Sequence, residues 1–155
     1  FLVFEKHPAL KLICAFNGNS NFINNDKQPQ NVLLFNYLPQ LYILRHADLF
    51  ITHAGLGSVK EAIFYGVPML AYPFTKSWDS NGNATKIAYR RLGLRGNILT
   101  DDAQQIEERI MQLLTQMNYR ETMQLFREKM TVKYSEENFL TLFEKLRVNT
   151  SWGSS

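Results

Sequence analysis

Cysteine is almost missing. Cys14 is the single one in 155 residues, so no intrachain disulfide can form, and a reducing compartment is expected. Its place in an apolar run suits core packing. Long hydrophobic stretches are missing too: none nears the roughly 20 residues that span a bilayer. No secretory leader opens the chain, so a cytoplasmic protein without a membrane span is expected. Charge of neither sign is concentrated. Seventeen Lys and Arg stand against 14 Asp and Glu, a net +3, and the basic residues are scattered, which argues against a nucleic-acid partner. Three dispersed histidines and one cysteine lack zinc-ligand spacing, so no metal site is expected. Neither G-x-G-x-x-G nor a Walker loop occurs. A starting methionine is also missing. Phe1 opens what reads as the end of a helix, closed by Pro8, so a longer protein is expected.

What is present suits one globular domain: 45% hydrophobic and 20% charged residues, with length enough for a sizeable core. Residues 1–100 hold ten Lys and Arg against five Asp and Glu, a balance that fits an anionic ligand there. Apolar runs at Leu10–Phe16, Val32–Phe35, Asp48–Thr52 and Pro68–Tyr72 read as strands, and Leu94–Leu99 has room for a fifth. Residues 17–31, rich in Asn, Gly and Pro, read as a loop. Pro39 opens a short helix through Leu41, Ile43 and Leu44. Asp79-Ser80-Asn81-Gly82-Asn83 leads into a helix carrying Ile87, Ala88 and Leu92, which Gly93 closes. Thr100-Asp101-Asp102 is an N-cap cluster before Ile106, Ile110, Leu113, Leu114 and Met117 at helical spacing. Met123, Phe126 and Met130 predict another helix, and Phe139, Leu142, Phe143 and Leu146 a last one. Strands alternating with helices predict an α/β fold: a mostly parallel sheet with helices on both faces and a helical C-terminal third. One domain over residues 1–148 is expected, with 149–155 as a mobile tail.

The stretch that carries chemistry is Thr52-His53-Ala54-Gly55-Leu56-Gly57-Ser58. A buried strand leads in, and Val59, Ala62, Ile63 and Tyr65 continue as a helix that Gly66-Val67-Pro68 stops. Glycines let a ligand approach the backbone, and a helix start offers unpaired N–H groups and partial positive charge to a phosphate. Ser58-x-x-Glu61 is equally a capping box, which would occupy the same N–H groups structurally. His53, at the carboxyl end of a strand, lies where open α/β sheets bind ligands.

Four pieces in order resemble the donor signature of family-1 UDP-glycosyltransferases. They are Tyr37-Leu38-Pro39-Gln40, His53-Ala54-Gly55-Leu56-Gly57-Ser58-Val59-Lys60-Glu61, Gly66-Val67-Pro68 and Asp79-Ser80-Asn81-Gly82-Asn83-Ala84. The resemblance covers roughly residues 1–147 and implies the C-terminal, donor-binding half of a GT-B fold, with a Rossmann-like sheet whose first strand lies upstream. It implies that Tyr37 stacks on the base, with Leu38 and Gln40 at the base or ribose. His53, Gly55, Gly57 and Ser58 would hold the diphosphate, and Glu61 the ribose hydroxyls. Asp79 would meet the sugar, with Ser80 beside it. Asn83 is read as a ligand contact, a helix cap or a loop brace. Two departures bear on sugar choice: Ser80 replaces the usual Gln, and the loop before Asp79 is longer than in many members. The resemblance further implies inverting, metal-independent transfer from a UDP-sugar, or a dTDP-sugar, without a cofactor. The acceptor, a small molecule or a lipid, and the catalytic base would belong to an N-terminal domain, so no catalytic residue is expected here. His7 and His46 are expected at the surface. Two other readings stay open: a stand-alone donor subunit of a bipartite N-acetylglucosaminyltransferase, and a non-catalytic nucleotide-binding or interaction domain.

Overall fold

Strand and helix signals alternate along the chain because each apolar run is too short to bury itself alone and must pack against a helix. The computed structural model describes residues 1–15, 28–74 and 77–133. In order these form α1 (Leu2–Lys6), β1 (Leu12–Ala15), β2 (Val32–Phe35), α2 (Gln40–Leu44), β3 (Phe50–Thr52), α3 (Leu56–Tyr65), β4 (Met69–Ala71), α4 (Trp78–Tyr89), β5 (Gly93–Arg95), α5 (Ala103–Thr115) and α6 (Met117–Lys133). The end of the first expected strand at Phe16, the last expected helix around Phe139–Leu146 and the expected tail lie outside the described residues. No described helix is long and apolar enough to cross a membrane.

Every strand pair among the described residues is parallel, as the alternating pattern predicts. The pairing is divided, however: β1 bonds β2, while β3, β4 and β5 form a separate ladder. β4 lies at the centre of the larger sheet, and all three of its residues are buried. Met69 and Ala71 face Ala62 and Ile63 of α3, Ala84 and Ile87 of α4 and Met123 of α6. Leu70 faces the other way, onto Val3 of α1, Ile110 and Leu113 of α5 and Tyr119 of α6. The two-residue period of the strand thus divides one apolar run between two helical layers.

Helix ends explain several differences from the sequence reading. α3 closes on Gly66 at φ 71°, with Val67 N–H donating to the Ala62 carbonyl. α4 closes the same way, but Arg91 takes the left-handed position at φ 55°, and Leu92 N–H donates to the Ile87 carbonyl. Gly93 is therefore not the cap. It is the first residue of β5, where a Cβ would lie 1.8 Å from the Met69 carbonyl oxygen. In the Asp101-Asp102 pair only Asp102 caps α5, in a reciprocal box with Gln105. Asp101 instead accepts from Tyr72 Oη (3.0 Å), Arg109 Nε (2.9 Å) and the Asn97 N–H (3.2 Å), joining the end of β4 to α5. Burial pushes the Asp101 carboxyl up, but Arg109, Asn97 and Tyr72 outweigh it and hold the group below its ordinary range. Burial, then Asp101, pushes the Tyr72 hydroxyl up to about 12. His7 is not a free surface histidine: its Nε2 lies 2.7 Å from Glu107, linking α1 to α5.

Candidate functional site

Parallel strands put the loops after β3, β4 and β5 on one edge, the edge where such sheets take ligands. The loop after β3 turns abruptly into α3. Gly55 is the N-cap and has no side chain with which to accept a first-turn N–H. The first bond into the helix runs from Val59 N–H to the Gly55 carbonyl, 3.0 Å. Among the described residues, none accepts from the N–H groups of Leu56, Gly57 or Ser58, and Leu56 and Gly57 are exposed. The capping box does not form. α3 begins two residues before Ser58, so Ser58 lies inside the first turn and Glu61 in the second. The helix start is left open, with its partial positive charge facing solvent.

Glu61 is engaged elsewhere. Gln40, the first residue of α2, donates from Nε2 to Glu61 Oε2 (2.6 Å) and to Ser58 Oγ (3.2 Å). This brings together three residues that the sequence separates by up to 21 positions. Glu61 keeps acceptor capacity for two further donors, which suits a vicinal diol. Leu38 is half-buried beside this cluster in sequence, and Tyr37 is 71% exposed, its ring open to a planar ligand.

Ala54 holds the turn. It is fully buried and adopts φ 64°, a left-handed conformation that costs a non-glycine residue about 1–2 kcal/mol. Its N–H donates to Thr52 Oγ1 (3.2 Å), and its carbonyl accepts from Asn83 Nδ2 (3.0 Å). A Cβ at Gly55 would lie 2.7 Å from His53 Nε2, so a side chain there would displace the imidazole. The His53 side chain is exposed and stacks on Phe74, ring centroids 5.2 Å apart at 20°.

Asp79 through Asn83 do not lead into a helix but lie within α4, which Ser77 caps by accepting from the Ser80 N–H. Asp79 and Asn83, four apart, share a face of α4. Asp79 is exposed, while Asn83 reaches the Ala54 carbonyl. Ser80 is buried, and its hydroxyl accepts from Ser77 Oγ (3.1 Å), inside the cap. Of the residues named from sequence, Gln40, Ser58 and Glu61 form one cluster, and His53, Gly55 and Asn83 gather around Ala54. Phe74 and Ser77 escaped the sequence reading, and Thr52, though part of the stretch singled out there, was given no role. Thr52, two residues before the N–H it receives, had a local hydroxyl-turn signal. The Phe74–His53 stack spans 21 positions and had none.

Comparison with known proteins decides the family. The model of the family described as "Erythromycin biosynthesis protein CIII-like, C-terminal domain" matches residues 11–142. The chain belongs to this family. It is a glycosyltransferase C-terminal domain. Oleandomycin glycosyltransferase from Streptomyces antibioticus is 41% identical over 75 residues, 48% of this chain and 16% of that protein. The crystal structure of the glycotransferase of kitacinnamycin superposes at a TM-score of 0.76 and 24% identity, over 94% of this chain and 37% of that one. Os79 from O. sativa, in complex with UDP and deoxynivalenol-3-glucoside, superposes at 0.70 and 19% identity, over 91% of this chain and 35% of that one. These likenesses bear out the C-terminal GT-B domain expected from the sequence. The chain spans less than two fifths of each relative's length.

Proposed function

We propose that this domain holds the nucleotide-sugar donor for glycosyl transfer, a UDP-sugar first and a dTDP-sugar second. The observation that carries the reading is the open start of α3 beside the Gln40–Glu61–Ser58 cluster. One offers donors to a diphosphate, and the other offers a carboxylate to a ribose diol. Tyr37 supplies a stacking face for the base, His53 a further donor to a phosphate oxygen, and Asp79 an acceptor for sugar hydroxyls. Ser80 reaches the sugar only if its bond to Ser77 opens.

We further propose transfer with inversion and without a metal ion. The acceptor oxygen forms a bond to the anomeric carbon as the bond from that carbon to the diphosphate breaks. The acceptor proton passes to a base on an N-terminal domain, and the bonding pair leaves with the diphosphate. Negative charge grows on the leaving group, where the N–H groups of α3 and His53 can meet it. Donors fixed before the reaction gain most there, and one lost donor raises the barrier by about 3 kcal/mol.

Calorimetric titration with UDP tests the binding reading. Saturable heat at one site is expected, with Glu61→Ala weakening UDP more than pyrophosphate, which lacks a ribose. No heat and no thermal shift at millimolar UDP would overturn the assignment and leave a non-catalytic interaction domain.

A further inference from the structure

Asn83 is half-buried, and its side-chain amide donates to a carbonyl of the neighbouring turn. From this we propose that Asn83 is the positioning residue of the diphosphate loop. It fixes the Ala54–Gly55 peptide plane and so the direction of the donors that follow. The inference rests on the donor-binding reading above.

The argument begins with planarity. In a trans peptide the C=O and the next N–H point in opposite directions. Asn83 Nδ2 holds the Ala54 carbonyl toward α4 at 3.0 Å. The Gly55 N–H is thereby turned away from α4, and among the described residues it has no acceptor. Thr52 Oγ1 fixes the peptide on the other side of Ala54. The residue between these two ties is fully buried and at φ 64°. An alanine returns from that region to negative φ when nothing opposes it. Such a return would swing the Gly55 N–H and tilt the start of α3. It would also move His53, which precedes Ala54 in the chain. The amide type matters as well. The carbonyl needs a donor, which the Asn83 amide supplies, and a carboxylate in the same place would set acceptor against acceptor.

The test measures UDP and uridine affinity, with thermal stability, for the protein and for Asn83→Asp, Asn83→Ala and Ala54→Gly. If Asn83 aims the phosphate donors, Asn83→Asp and Asn83→Ala lower the preference for UDP over uridine by about tenfold, the scale of one hydrogen-bonded group. Uridine itself, which lacks the diphosphate, binds as before. Ala54→Gly relieves the strain while loosening the peptide, so it lowers the UDP preference without lowering the melting temperature. That variant carries the test should the Asn83 variants fail to fold. An unchanged UDP-to-uridine ratio in the folded variants overturns the inference and leaves donor binding standing. No UDP binding by the unsubstituted protein overturns both.

Discussion

β4 and β1 are both short parallel strands, yet one is sealed and the other is open. All three residues of β4 are buried between two strands and two helical layers, whereas β1 alternates half-buried with exposed and has no fully buried residue. Ile13 of β1 is 40% exposed and Leu33 of β2 is 43% exposed. The difference follows from neighbours, not composition, since Leu12-Ile13-Cys14-Ala15 is as apolar as Met69-Leu70-Ala71. β4 is paired on both edges; β1 is paired on one among the described residues. The same division sorts the site. The β3–β4–β5 side supplies the rigid turn and helix start, and the β1–β2 side presents the exposed ring of Tyr37 just beyond β2. Substitutions in the buried strands of the sealed side should register in stability, and those at the exposed Tyr37 in ligand affinity.

The largest effect is expected at Gly93. Gly93→Ala drives a methyl into the Met69 carbonyl and must part β5 from β4, at a cost of about 3 kcal/mol or more in denaturant unfolding. Ile13→Ala, on the open side, should cost less, about 1 kcal/mol, because two fifths of that residue stays in water. Equal losses would erase the contrast between the two sheets.

Asp101→Asn comes next, at about 2 kcal/mol near neutral pH, because it removes the charge that Arg109 meets at a carboxylate only 4% exposed. The pH profile carries the sign. The folded carboxyl titrates below its ordinary value, so its contribution is present above pH of about 4 and is lost as pH falls through the lower folded value. The variant should lack that acid limb. Tyr72 acts at the other end. Its folded value of about 12 exceeds the ordinary tyrosine value of 10.0, so its contribution is full below pH 10 and is lost as pH rises toward 12. Tyr72→Phe should flatten that alkaline limb in thermal melts.

Tyr37→Ala tests the open side directly. UDP should bind more weakly by about 1–3 kcal/mol in calorimetry, while unfolding shifts by no more than about 0.5 kcal/mol. A large stability loss with unchanged affinity would make Tyr37 part of the core. The smallest effect belongs to Arg91→Gly, which replaces a left-handed arginine by the residue suited to that conformation. A gain of about 0.5 kcal/mol is expected in the same denaturant assay, as chain entropy offsets part of the relieved strain.

Local signals determined the strand and helix order and the stop at Gly66, because each depends on residues a few positions apart, and their alternation implied parallel pairing. The family resemblance was legible for the same reason: its motifs are local strings. Tertiary structure decided what each of those residues touches. The Ser58–Glu61 spacing suited a capping box as well as a ligand site, and only the packing of α2 shows Gln40 donating to both residues in place of that box. Gly93 resembled a helix stop until Met69 was seen to press against it, and Asp101 resembled a cap until Tyr72 and Arg109 closed on it. Asn83 had three readings, and its bond to a carbonyl 29 positions away shows the loop brace. Hydrogen-bond partners across such distances leave no period in a chain, so they are fixed only when the elements pack.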